Sequence, residues 1–242
     1  MPHSGCIDSV NCLSNKQNPV RILDIKDYCS RWQFILDRCK GRKVLHLGCI
    51  GETDGSLDVK AEAYERGRVL HPHLIKAASE VVGIDLNEPA VEMLRARFGV
   101  RGLFIADVQR LDKLSWTDRF DVILFGDLIE HLSCPGLALD GIRRFMTDQS
   151  ELIISTPNAF ALLANARYSL GRYREGAEHV AAYSKFTLPT LLERHDLKLM
   201  ELFTCYDRPP ESGKVRFALG VRCFKMVPER GGTLLAVARS AN

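Results

Sequence analysis

The sequence predicts a single α/β domain, a mixed sheet of seven strands with helices on both faces and an antiparallel hairpin at its end. Three stretches carry this expectation. Arg42 to Gly51 (RKVLHLGCIG) reads as a short buried strand, with Val44, Leu45 and Leu47 supplying its apolar run, that enters a turn marked by Gly48 and Gly51. Val81-Val82-Gly83-Ile84-Asp85 is a second such strand, ending in a carboxylate and followed by a helix-like run from Glu88 to Phe98. Phe120 to Gly126 is nearly all apolar, as a parallel strand covered on both faces requires.

The remaining elements follow in order. Met1 to Val20, rich in Ser and Asn with Pro2 and Pro19, has no sustained period, and a loose arm is expected over residues 1–26. From Asp27 to Cys39 the residues Tyr28, Trp32, Ile35, Leu36 and Cys39 recur at helical spacing, and Gly41 is placed to stop the helix. Between Gly51 and Val81, Glu52 to Gly55 reads as a polar turn, Val59 to Arg68 as a short helix and Leu70 to Ser79 as the crossover helix, together walling the upper part of a ligand site. His71 and His73 flank Pro72 there and read as surface residues at a helix start, since neither has an acidic partner nearby in sequence.

Leu103 to Asp107 is a third strand ending in an acid, and the fourth, Phe120 to Gly126, delivers Asp127 to His131 to the carboxyl edge, where such sheets bind ligands. Cys134 to Met146 reads as a helix opened by Pro135, and Glu151 to Ser155 as a fifth strand broken at Thr156-Pro157-Asn158. Ala159 to Arg174 and Ser184 to His195 are helix-like, and glycines 171 and 176 suit a lid over about 157–195. Leu197 to Tyr206 and Lys214 to Val227 read as the closing hairpin, with the domain running over 27–228 and a tail over 229–242.

At 242 residues, 46% hydrophobic and 26% charged, the chain suits one domain with additions. A formal charge of +3 without a basic cluster argues against nucleic acid as a partner and for a small-molecule acceptor. The eight cysteines form no C-x-x-C pair and read as reduced thiols. The first residues lack a basic segment followed by an apolar core, and no apolar run reaches membrane-spanning length, so a cytoplasmic protein without a membrane partner is expected. Oligomeric state is not legible.

The pattern His46-Leu47-Gly48-Cys49-Ile50-Gly51 followed by Val82-Gly83-Ile84-Asp85 resembles the class I S-adenosylmethionine-dependent methyltransferases, which have a Rossmann-like sheet. The nicotinamide fingerprint G-x-G-x-x-G is absent. The resemblance implies a cofactor site of His46, Gly48, Cys49, Gly51, Asp85, Leu86, Asp107, Val108 and Gly126, with Asp85 on the ribose and Asp107 on the adenine. His46 stands where the family often has an acid.

Phe120 to His131, then Ile153 to Asn158 and Glu178-His179, resembles the branch holding ubiquinone-pathway O-methyltransferases and many small-molecule and sugar methyltransferases. It also resembles the small-RNA terminal 2′-O-methyltransferases, whose E-x-x-E-H and a later His hold a divalent metal; Asp127-x-x-Glu130-His131 stands at the matching place. Methylating a hydroxyl requires a proton acceptor beside it, and His131 and His179, with Glu130, are the candidates. If Asp127 to His131 forms a helical turn, Asp127, Glu130 and His131 share a side, and His179 would complete a site for zinc, iron or manganese. The leading reading is O-methylation of a small hydroxylated metabolite, a sugar or natural-product intermediate. RNA 2′-O-methylation and a catalytically silent cofactor-binding scaffold are its rivals. Arg167, Arg172 and Arg174 read as a solvated helix face, and Trp32 and Trp116 as core or site-wall residues.

Overall fold

The structure, a computed structural model, describes residues 21–22, 30–51, 55–172, 176, 178–205 and 227–241. Its strands are β1 (Arg21–Ile22), β2 (Lys43–Leu47), β3 (Glu80–Asp85), β4 (Leu103–Ile105), β5 (Val122–Gly126), β6 (Glu151–Pro157), β7 (Leu197–Cys205) and β8 (Thr233–Ser240). They form one sheet in the order β1-β7-β8-β6-β5-β2-β3-β4. β2 to β8 are the expected seven-stranded mixed sheet, and the two-residue β1 adds a parallel edge beside β7. β8 alone runs against its neighbours, pairing antiparallel with both β6 and β7.

The helices are α1 (Ser30–Cys39), α2 (Leu57–Glu65), α3 (His71–Ala77), α4 (Glu88–Phe98), α5 (Pro135–Arg143), α6 (Leu162–Ser169) and α7 (Thr187–Arg194). Because strand side chains alternate, each central strand feeds two cores. Leu45 and Leu47 of β2, with Ile123 and Phe125 of β5, pack under α5 and α7 through Ala138, Leu139, Ile142, Leu188 and Leu192. Val44, Val122, Leu124 and Ile153 point the other way, onto Ile35 and Cys39 of α1 and Leu74 of α3. α4 closes a third cluster, its Ala90, Val91 and Leu94 against Leu103 and the buried Cys49 and Ile50. Asn87 caps α4 by accepting from the Ala90 N–H at 3.1 Å, and Gly99 ends it at φ 64°, a left-handed position that glycine adopts without strain.

The end of the chain corrects the sequence reading. Residues 231–242, expected as a tail, carry β8, whose Thr233 to Ala238 are all buried. The run TLLAVA has the uninterrupted apolar character of a doubly covered strand, and it lies between β6 and β7, not at an edge. The stretch Lys214 to Val227, expected to pair with β7, lies outside the described residues apart from Val227, which is exposed. The arm reading over 1–20 and Arg174 lie outside them too, whereas residues 21–22 of the expected arm are in the sheet. Ending the chain before Gly231 should therefore abolish cooperative folding, seen as loss of a sharp thermal transition by circular dichroism; a sharp transition retained at its original temperature would contradict this placement.

Candidate functional site

The strand order reverses at β2, which pairs with β3 on one side and β5 on the other, all three parallel. At such a point the loops leaving the carboxyl ends diverge and open a crevice. Gly48 follows β2 at φ 69°, a left-handed position that favours glycine, and a Cβ there would lie 2.9 Å from Leu128 Cδ2 of the β5 loop. Gly51, at φ 80°, closes the turn by donating to the Gly48 carbonyl at 3.3 Å.

Asp85 ends β3 with its carboxylate organising the loop: Oδ2 accepts from the Ile50 N–H and Oδ1 from the Asn87 N–H, each at 2.9 Å. Each oxygen of a carboxylate has a second lone pair, so two vicinal hydroxyls can still be accepted. Leu86 beside it is 70% exposed, an apolar surface at the crevice lip. After β4, Asp107 Oδ1 accepts from the Gln109 N–H at 2.8 Å, capping the 3₁₀ turn Val108–Lys113. Val108 turns its side chain into the main core. Gly126 ends β5, where a Cβ would meet only Ser155 Oγ at 3.6 Å.

Two expected cofactor side chains point elsewhere. Cys49 is buried against Gly83, with its thiol pushed upward by burial. His46, on the α3-facing side of β2, places its Nδ1 3.1 Å from His71 Nδ1, the rings stacked with centroids 5.3 Å apart. His71 is therefore no surface residue: it is fully buried. Sequence could not pair them, because only the packing of α3 on β2 brings the two together. Burial holds His71 down at about 4 and, reinforced by the repulsion a protonated His71 would exert, holds His46 well below 6.5, so both sites favour the neutral imidazole at neutral pH.

Beyond β5 the expected four-residue metal set divides. Asp127 has φ 45°, so the chain does not continue as a helical turn through it; the 3₁₀ turn is Ile129–His131. That backbone angle sends the Asp127 carboxylate to Arg31 of α1, at 2.8 and 3.1 Å, and to Ser155 Oγ at 3.0 Å. Glu130, His131 and His179 do come together, with one potential ligand atom from each lying within 4.8 Å of the others. The Val180 and Ala181 N–H groups donate to the Glu130 carbonyl at 2.9 and 3.2 Å, fastening the His179 segment over this turn. Glu130 is 2% exposed and accepts from Thr156 Oγ1 at 2.9 Å. Burial, reinforced by the Asp127 charge and opposed by hydrogen bonds and His179, raises its carboxyl to about 7. His131 leaves a buried Nδ1 without a hydrogen-bond partner among the described residues.

A family profile described as a methyltransferase domain matches residues 25–202. The chain belongs to the methyltransferase domain family. Among curated proteins, this chain is 22% identical over 183 residues to a ubiquinone biosynthesis O-methyltransferase of Proteus mirabilis, covering 72% of this chain and 64% of that protein's length. It is 26% identical to the enzyme of that name from Rhodopseudomonas palustris, covering 93% of this chain and 83% of that one. A SAM-dependent methyltransferase from Archaeoglobus fulgidus superposes with a TM-score of 0.53 at 19% identity, covering 87% and 92% of the two chains. The 1,6-didemethyltoxoflavin-N1-methyltransferase of Burkholderia thailandensis does so with a TM-score of 0.54 at 17% identity, covering 88% and 77%. The fold shared is that of S-adenosylmethionine-dependent methyltransferases.

Arg31, Ser155 and Thr156 were not expected as site residues; their contacts span distant parts of the chain and have no local signature. The buried imidazoles have a measurable consequence. An unfolded histidine takes a proton near 6.5, whereas folded His71 resists until about 4, so the unfolded state binds more protons between those values. Stability is intact above pH 6.5 and should fall on the order of 3 kcal/mol as pH drops to 4. A His71→Gln variant should show a shallower slope in thermal melts across that window; identical slopes would remove the assignment.

Proposed function

We propose that the protein methylates a hydroxyl oxygen of a small metabolite, a sugar or natural-product intermediate, using S-adenosylmethionine held in the crevice at β2. The observation that supports it most is the placement of Glu130, His131 and His179 together at the carboxyl edge. The crevice fits the cofactor: glycines clear its floor, Asp85 offers acceptors to the ribose hydroxyls, and Asp107 keeps Oδ2 for the adenine amino group. The ubiquinone-pathway names of the relatives agree with oxygen as the atom attacked and with a hydroxylated acceptor.

When bound, S-adenosylmethionine supplies a methyl group on a sulfonium, ready for in-line displacement. The chain's own work is to orient the acceptor and take its proton. His131 and His179, with ring centroids 4.8 Å apart, are the proton acceptors on this reading, and buried Glu130 favours the imidazolium that results. The Thr156 hydroxyl orients Glu130. Phe160 and Leu163, exposed on the neighbouring loop and α6, offer apolar surface for the acceptor's carbon skeleton.

One observation favours a second reading of the same three residues. A carboxylate and two imidazoles, one with a buried Nδ1 that has no partner among the described residues, fit a divalent ion of the zinc, iron or manganese class, which would bind adjacent hydroxyls and lower their pKa. Asp127 is not among these ligands.

Methyl transfer from labelled S-adenosylmethionine to a panel of catechols, hydroxylated aromatics and sugars tests the function. Asp85→Ala should lose S-adenosylhomocysteine binding by calorimetry; equal binding by wild type and variant would sink the cofactor assignment. Glu130→Gln, His131→Asn and His179→Asn should each lower kcat by about 10²-fold or more while still binding S-adenosylhomocysteine. Elemental analysis of untagged protein, with activity before and after chelation, separates the two readings. Full activity in metal-free protein leaves the histidines as bases, whereas activity lost to chelator and restored by one ion establishes the metal.

A further inference from the structure

We propose that Asn158 is the residue that positions His179, fastening the chain around that histidine to the turn ahead of β8. The inference rests on the role given to His179 above and adds what holds its side chain beside Glu130 and His131. His179 belongs to none of the helices or strands, so its place is set by contacts with neighbouring segments. One fastening is the Glu130 carbonyl, which accepts from the Val180 and Ala181 N–H groups. Val180 is 62% exposed, and backbone bonds this close to solvent open readily. The other fastening lies four residues on from His179. There the Ala159 N–H donates to the Tyr183 carbonyl at 2.7 Å, and Asn158 and Tyr183 pair as a parallel bridge.

Asn158 secures that second fastening. It is 4% exposed, and its polar groups are all engaged. Nδ2 donates to the Glu229 carbonyl at 3.0 Å and to the Gly231 carbonyl at 2.8 Å, while Oδ1 accepts from the Phe160 N–H at 3.1 Å. The backbone N–H donates to the Gly232 carbonyl at 2.8 Å, and the backbone carbonyl accepts from the Ala161 N–H at 2.9 Å. Two donors and an acceptor on one short side chain require an amide: an aspartate only accepts, and an apolar residue strips the buried Gly231 carbonyl of its donor. The receiving turn is itself firmly placed. It leads into buried β8, and Gly231 lies so close to β7 that a Cβ would stand 2.7 Å from Thr204. Lys185, two residues beyond Tyr183, pairs with the Glu229 carboxylate and ties the same turn to the chain just ahead of α7. The Thr156-Pro157-Asn158 break after β6 thus delivers an amide that holds Tyr183, and through it the histidine. None of these contacts involves β2 or β3, so the hold acts on the acceptor side and leaves the cofactor crevice alone.

Hydrogen exchange measures the hold without any acceptor. In Asn158→Ala the Val180 and Ala181 amides should exchange about tenfold or more faster than in wild type, while those of β2 and β3 keep their protection. Turnover reads the consequence: kcat should fall about tenfold or more with S-adenosylhomocysteine affinity unchanged. Asn158→Ala combined with His179→Asn should be no slower than His179→Asn alone, as expected when one residue acts through the other. Unchanged exchange at Val180 and Ala181 overturns the proposal, and so does a double variant whose loss is the product of the two single losses. If Asn158→Ala loses protection throughout, Glu229→Gln decides, since it removes only the ion pair to Lys185 and its side chain is 50% exposed. That variant should speed exchange at Val180 and Ala181 about threefold, and no change there overturns the proposal. A His179→Asn variant with wild-type kcat would fail the role given to His179 above, and exchange at Val180 and Ala181 would still judge Asn158 by itself.

Discussion

Everything at the carboxyl edge depends on the reversal of strand order at β2. β2 pairs with β3 from Lys43↔Glu80 to Leu47↔Ile84 and with β5 from Val44↔Val122 to Leu47↔Phe125, so three parallel strands end almost level. The chain then leaves β3 and β5 in opposite directions along the sheet, and the gap between their loops is filled by a turn of glycines. At φ 69° a side chain at Gly48 would be strained, and its Cβ would press on Leu128 of the β5 loop. The turn also depends on Asp85, whose carboxylate holds the Ile50 N–H, so the carboxylate proposed for the ribose also fixes the turn beneath the thioether.

The edge is divided electrostatically. Below β2, on the α3 side, two imidazoles stack in the interior, where desolvation favours their neutral forms. Above β5, polar groups are concentrated: Asp127 with Arg31 and Ser155, then Glu130 with Thr156 and the two histidines. Asp127 contributes to raising Glu130, so the charge of one carboxylate holds the next closer to neutrality. Two neighbouring carboxylates thus acquire different characters: one is exposed and paired to a guanidinium, the other buried beside imidazoles. The buried carboxyl is the one placed to act on the two imidazoles, whereas the exposed one is committed to Arg31 and Ser155.

What was legible in the sequence was what short-range pattern encodes. β2, β3, α4 and β5 are apolar runs or helical periods punctuated by Gly48, Asp85 and Gly99, and they emerge within a residue or two of their expected places. The closing strand was not legible, since a buried central strand near a chain's end lacks the alternation that marks a half-exposed one, and TLLAVA follows two glycines that look like the start of a tail. His71 misled for a different reason: its partner His46 lies on another element, and a histidine after a turn carries no sign of whether its helix face is inward.

The acidic residue after β5 shows where pattern stops and conformation decides. Spacing alone puts Asp127, Glu130 and His131 on one face, but only if the backbone is right-handed at 127. Ser155 at the end of β6 takes the Asp127 N–H on its carbonyl at 2.8 Å and offers its hydroxyl to the same residue's carboxylate, so both ends of Asp127 are tied to β6. Arg31 then pulls the side chain toward α1. Those constraints outweigh the modest cost of a left-handed aspartate, and the chain re-enters a 3₁₀ turn only at Ile129. The metal-ligand spacing is thereby broken by one dihedral angle, and a residue that would have joined the histidines is bonded to Arg31 and Ser155 instead.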